Sequence, residues 1–163
     1  MWRWLILVTI HLIMPAIGLR AAFIRCRPSQ RFKRRTQQRI ESTATETLYA
    51  GRLVRRLKGS DLSHWGEGEV RISRYRIAHI GRLALGPDYK LYLAPRFVDT
   101  KEAFLLIKDK SIYMGDAKTF NSFIVAVPAS IDVSDYDAVV VWCEASDQFI
   151  SAAKYQLSRQ ARK

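Results

Sequence analysis

Residues 139–142 read Val-Val-Val-Trp, a β-branched run closed by an aromatic and apolar at every position. A run that is apolar on both alternating faces reads as a central strand buried on both sides. Asp135 and Asp137 fence it in front and Glu144 behind, and Cys143 sits where the strand meets a polar turn. After Ala145, Ser146 and Asp147, the segment Gln148 to Tyr155 predicts the return arm of a hairpin.

The chain before it supplies further short strands from Ala50 onward. GRLVRRL places Leu53 and Leu57 on one face with Arg55 between them and predicts a half-buried first strand. KGSDLSHWGEGE reads as a turn, after which Val70 and Ile72 resume strand periodicity. Tyr75 to Leu85 is a third strand, with Ile77, His79 and Gly81 on one face. Gly86-Pro87-Asp88 is a tight turn and Tyr89 to Ala94 a fourth strand, ended by Pro95. DTKEAFLLIKD suits a short helix or a fifth strand. Ser111 to Lys118, Ser122 to Val127 and the closing hairpin follow. Turns about every 8 to 12 residues predict an all-β fold, an antiparallel β-sandwich of about seven to eight strands preceded by an N-terminal hydrophobic helix.

Ahead of the sandwich the composition changes. The net charge of +12 is concentrated there: 13 Lys and Arg stand against 2 acidic residues up to Ser60, and 14 against 13 afterwards. The excess belongs to an arm, Arg20 to Arg39, and not to the folded body. Before it, Trp4 to Leu19 is uncharged over 16 residues, short of the roughly 20 a spanning helix uses unless Arg20 snorkels and the run extends to Ile24. Two readings stand, a signal peptide with small residues at Ala16 and Gly18, or an anchor with Trp2 and Trp4 at one interface. The cations directly behind the apolar run favour the anchor, and they suit a juxtamembrane segment against anionic headgroups better than a nucleic-acid arm, which would interleave aromatics. The expected organisation is 1–24 anchor or signal peptide, 25–49 basic juxtamembrane linker, 50–156 β-sandwich domain and 157–163 tail. The expected partners are thus the membrane and not nucleic acid.

Motifs for hydrolases, nucleotide binding and zincins (GxSxG, GxxxxGK[ST], GxGxxG, HExxH) are absent from the sequence. The two cysteines, Cys26 and Cys143, are too few for a disulfide framework, and no CxxCH or CxxC pair occurs. Cys143 is the cysteine of the domain, read either as a small hydrophobe or as a reactive thiol or ligand; Glu144 beside it disfavours the thiolate. His64 in SHWGEGE and His79 in an apolar strand are the candidate cofactor ligands, and a haem or metal would take one of them with Cys143. The bland reading makes His64 solvated and His79 a hydrogen-bonded core residue. No metal site is assigned.

The order of features resembles the DM-thirteen domain, also called the electron-transfer DM domain. His64 and Gly68 precede a strand; GPDYKLYLA follows at Gly86 to Ala94, then Met114-Gly115-Asp116-Ala117-Lys118, FIVAVPASIDVSDYDAVVVWC at Phe123 to Cys143, and FISAAKY at Phe149 to Tyr155. The likeness spans about Ala50 to Gln156. It implies a β-sandwich module, often beside cytochrome-like DOMON domains, with one cysteine in redox work as a bare thiol or a prosthetic-group ligand. That cysteine maps to Cys143. Tyr89 stands where an aliphatic residue is more typical, and the basic arm lies outside the pattern. With no DOMON domain in the chain, the redox partner is a separate protein. The expectation is a membrane-anchored, extracytoplasmic sandwich serving electron transfer, not a self-sufficient enzyme. The competing expectation is a non-catalytic binding or adhesion module displaying the loop from Asp61 to Glu69.

Overall fold

The computed structural model describes residues 46–156 and, ahead of them, Gln38 alone. The apolar segment at 1–24, nearly all of the basic linker and the tail at 157–163 lie outside the described residues, and so does the expected N-terminal helix. Among the described residues no helix is long and apolar enough to cross a membrane.

Among the described residues eight strands form two four-stranded antiparallel sheets, as the alternating sequence predicts. The first sheet holds β1 (Tyr49–Leu53), β2 (Gly66–Ile72), β3 (Arg76–Leu83) and β6 (Phe123–Ala126), in that order. The second runs β5 (Ile112–Asp116), β4 (Tyr89–Ala94), β7 (Ala138–Cys143), β8 (Gln148–Lys154). The Val-Val-Val-Trp run is therefore an interior strand, and every residue of β7 is buried. Its inner side, Val139, Val141 and Cys143, meets Leu91, Leu93 and Ile150 of its own sheet and Ile72, Ile77 and Phe123 of the other in the main core.

The outer side of β7 is covered as well. Val140 and Trp142, with Tyr92 and Phe149, pack under Phe104 and Ile107 in a second apolar layer. Phe104 belongs to α1 (Lys101–Leu105), the short helix of the KEAFL segment, which Thr100 caps by accepting the Ala103 amide at 3.2 Å. Burial on both faces explains why this strand has no polar alternation.

Three sequence expectations change. The first strand ends at Leu53: Leu53 enters the main core, whereas Leu57 joins the layer outside the second sheet, and Arg55 leaves the strand to lie 3.8 Å over the Trp65 ring. The third strand is shorter than read, because Ser73 makes a hydrogen-bonded turn with Arg76. The turn read through Glu69 ends at Trp65, and Glu67 and Glu69 are strand residues of β2, paired with Arg82 and Arg71.

A bulge in the closing hairpin has consequences inside the core. Val141 faces Ser151 but Trp142 faces Phe149, so Ile150 is extra. Ile150 stays in the main core while the Ser151 hydroxyl reaches the main-chain oxygens of Gly66 and Val54, both at 3.3 Å. The bulge thereby ties β8 to the first sheet.

Candidate functional site

Cys143 ends β7 on the side facing the other sheet. It is a free thiol, 1% exposed, paired across the ladders with Tyr89 on one flank and Gln148 on the other. The Tyr89 hydroxyl is buried without a hydrogen-bond partner among the described residues, and its ring lies so close to Gly86 that a Cβ there would come within 2.4 Å of the ring and hydroxyl. Burial, with the neighbouring Cys143 adding to it, pushes the Tyr89 phenol up to about 12. Gly86 of the GPD turn is thus required by contact with Tyr89, the position where this chain carries an aromatic.

His79 points into the same inter-sheet core from β3, as the core reading expects. It is 1% exposed, its Nε2 lies 3.1 Å from the main-chain oxygen of Glu67, and the Phe123 ring centre is 4.9 Å from its own. Burial holds its pKa below the ordinary 6.5, against the opposing pull of the Glu67 and Asn121 main chain. His64 sits in the loop, its Nδ1 2.8 Å from Oδ2 of Asp61, while Oδ1 of Asp61 accepts the amides of Ser63 and His64. The three candidates thus occupy separate settings, and no hydrogen bond joins Cys143 to either histidine.

A haem would need an open slot beside the sulfur. Here the sulfur is sealed among Tyr89, Leu91 and Val141 in a close-packed apolar core, and a flat macrocycle reaches it only if the sheets part. His64 is engaged by Asp61 and His79 by Glu67. These residues do not fit a haem, and among the described residues no group of three or more His, Cys, Asp or Glu side chains could hold a metal ion.

On the outer face of the same strand ends lies an arrangement the sequence reading missed. The Tyr92 hydroxyl donates to Oε1 of Glu144, and Lys108 Nζ donates to Oε2 at 2.9 Å. The same ammonium stands 4.9 Å from the Trp142 ring centre. Tyr92 rests against Tyr113 at 5.8 Å and Phe104 at 5.4 Å, and Phe104 against Trp142 at 5.1 Å. Beside them Lys90 binds Asp88 at 2.7 Å and Asp116 at 2.8 Å, and Asp116 also accepts from the Tyr113 hydroxyl. Burial first, then the Glu144 hydrogen bond, holds the Tyr92 phenol far above its ordinary 10.0. Burial works to raise the Glu144 carboxyl, but Tyr92 and Lys108 outweigh it and keep the group below 4.5. Glu144 therefore spends its charge on these two partners outside the sheet, not on the Cys143 thiol inside it. Strand parity gave a signal for Tyr92 and Trp142, which face outward together; Lys108 comes from the helical connection between β4 and β5 and had none.

A family model described as electron transfer DM13 matches residues 57–155, more than half of the chain and nearly all of the sandwich. The chain belongs to this family. No curated protein and no solved structure matches it. In this DM13 domain the matched stretch takes in both strand-end faces, with Cys143 inside and the Tyr92–Glu144–Lys108 group outside.

Proposed function

We propose that this DM13 domain is an electron-transfer module anchored at a membrane through its N-terminal segment, facing out of the cell, with Cys143 as its redox-active group. The observation that carries the reading is the placement of Cys143: a free, sealed sulfur at the end of the central strand, adjacent in sequence to Trp142. Disulfide exchange needs a thiolate that can approach another sulfur, and a side chain 1% exposed has no such approach. Single electrons do not require that contact. The exchange partner of Cys143 is accordingly a high-potential one-electron centre of another protein. The family membership supports the electron-transfer class, and the basic arm supports the membrane partner.

The test is one-electron oxidation of the full-length chain by photogenerated ruthenium(III) tris-bipyridine, followed by paramagnetic resonance. A sulfur-centred signal lost in Cys143→Ala is expected, with Cys143 unalkylated until the protein is unfolded. Equal oxidising equivalents taken up by wild type and Cys143→Ala would overturn the assignment. Sidedness is read by protease treatment of intact and lysed cells; a domain cut only after lysis contradicts the outward placement.

A binding module is the second reading, and one observation favours it. Leu62 is 95% exposed on the Asp61–His64 turn and Leu85 is 81% exposed on the loop after β3, whose Ala84 amide bonds the Trp65 oxygen. Under this reading Cys143→Ala leaves function intact and Leu62→Ser impairs partner capture.

A further inference from the structure

A sealed sulfur has to exchange electrons with the outside through its surroundings, and the two faces of β7 provide a route. Cys143 points inward, and the preceding residue, Trp142, points outward into an aromatic layer. From Trp142 the rings of Phe104, Tyr92 and Tyr113 follow at centroid spacings of 5.1, 5.4 and 5.8 Å. Exposure rises along the series, from 0% at Trp142 and 9% at Tyr92 to 50% at Tyr113. The series thus runs from the buried strand end to solvent.

Within it the two tyrosines differ from Trp142 and Phe104 by a proton that each can give to a carboxylate, Tyr113 to Asp116 at the exposed end and Tyr92 to Glu144 in the buried part. Oxidising a phenol makes its O–H strongly acidic, so a tyrosine passes an electron readily only where a base already accepts its hydrogen bond. Glu144 is such a base: an ionised carboxylate bonded to the Tyr92 hydroxyl and fixed on its other oxygen by Lys108 at 2.9 Å. The Lys108 ammonium, 4.9 Å from the indole of Trp142, disfavours a positive charge on that ring. Within the series an electron vacancy therefore pauses at the tyrosines, which shed its charge as a proton; Tyr92 is the buried one of the two, with Phe104 and Trp142 as the bridge from it toward Cys143.

We infer that Tyr92, with Glu144 as its proton acceptor, relays single electrons between the exposed Tyr113 ring and the strand end that carries Cys143. This rests on the electron-transfer reading above and adds its route. In the step, Tyr92 loses one electron by way of Tyr113 to a high-potential one-electron oxidant docked on that face. Its O–H bond breaks, the proton passes to Oε1 of Glu144, and a neutral tyrosyl radical and a neutral carboxylic acid remain. The oxidant is reduced by one electron. Re-reduction by a one-electron donor returns the proton across the same hydrogen bond. Lys108 is a positioning residue, since it acts on the electron through Glu144 and Trp142.

The experiment uses the full-length chain, photogenerated ruthenium(III) tris-bipyridine as oxidant, and transient absorption with paramagnetic resonance as readout. Wild type is expected to give a buried tyrosyl signal that Tyr92→Phe removes and that Tyr75→Phe, a change at an exposed tyrosine on the β2–β3 turn, leaves in place. Glu144→Gln keeps the shape and the hydrogen-bond acceptor but not the base, and should slow radical formation roughly a hundredfold. Fluorotyrosine at position 92, which barely perturbs folding, should change the rate in step with its more acidic phenol. A Tyr92→Phe protein with the wild-type signal, or a Glu144→Gln protein with the wild-type rate, overturns the relay whatever Cys143 does. If Cys143→Ala behaves as wild type while Tyr92→Phe loses the signal, the relay stands and the role given to Cys143 falls.

Discussion

Gly68 of β2 faces Gly81 of β3 across the ladder, so two backbones meet there with no side chain between them. A Cβ on Gly81 would lie 2.1 Å from the Glu67 oxygen and 2.6 Å from the Gly68 Cα, and both obstacles are main chain. Gly68 itself has φ +134°, a conformation that disfavours any side chain. The Glu67 oxygen is also the partner of His79 Nε2. Gly81→Ala is therefore expected to part the β2–β3 ladder locally and to cost about 1–3 kcal/mol, seen as a lower urea midpoint. A wild-type midpoint would show that the strands do not approach in this register.

His79 predicts the pH dependence of the fold. Its folded pKa lies below the unfolded value because burial opposes the imidazolium. The folded state then binds fewer protons than the unfolded one, so the stabilisation is fully present above about 6.5 and is lost as pH falls from there toward the lower folded pKa. Thermal melts should drop on acidification below 6.5, with a slope of at most about 1.4 kcal/mol per pH unit from this residue. His79→Gln, which keeps a donor for the Glu67 oxygen, should be less stable at neutral pH yet flatter across this window. An equal slope in both proteins would count against a buried neutral imidazole.

Among the described residues Trp142 is the largest fully buried side chain, and it joins α1 to the second sheet through Phe104 and Phe149. Its removal leaves a void that these rings cannot close. Trp142→Ala should cost about 3–5 kcal/mol, and hydrogen exchange of the α1 amides should rise before that of β2 and β3. Trp142→Phe should recover much of the loss. If α1 stays protected in the alanine variant, the outer layer draws its stability from elsewhere.

The legible part of this fold was the part governed by strand parity. Val139 to Trp142 announced an interior strand because no position was polar, and the hairpin behind it followed from the turn at Ala145 to Asp147. Ile77 and His79 sharing a core face came from the same period of two. What parity cannot give is which strand lies beside which: β6 pairs with β3, and β4 pairs with both β5 and β7, arrangements fixed by long-range packing. Leu57 misled for a related reason, since apolar spacing alone does not tell which of two cores a residue enters. Cys143 and His79 were singled out by residue type, and the fold places them as buried residues of separate sheets. The Tyr92–Glu144–Lys108 group escaped because its cation arrives from residue 108, beyond a helix whose path no local pattern specifies.

Tyr89 provides the sharpest separation between a structural and a chemical role at the strand end. Its hydroxyl is buried beside Cys143 with no hydrogen-bond partner among the described residues. Removing such a group relieves a desolvation penalty, and Tyr89→Phe should raise stability by about 1 kcal/mol. The ring still fills the space over Gly86 and against Phe120, whose centroid lies 5.9 Å away, so no cavity offsets the gain. A higher urea midpoint with unchanged one-electron oxidation would make Tyr89 a packing residue. A higher midpoint with a lost or altered sulfur signal would mean that the buried hydroxyl is retained for its action on Cys143. A lower midpoint would reveal that the hydroxyl has a partner in solution, and the sealed packing described around the sulfur would then be wrong at that point.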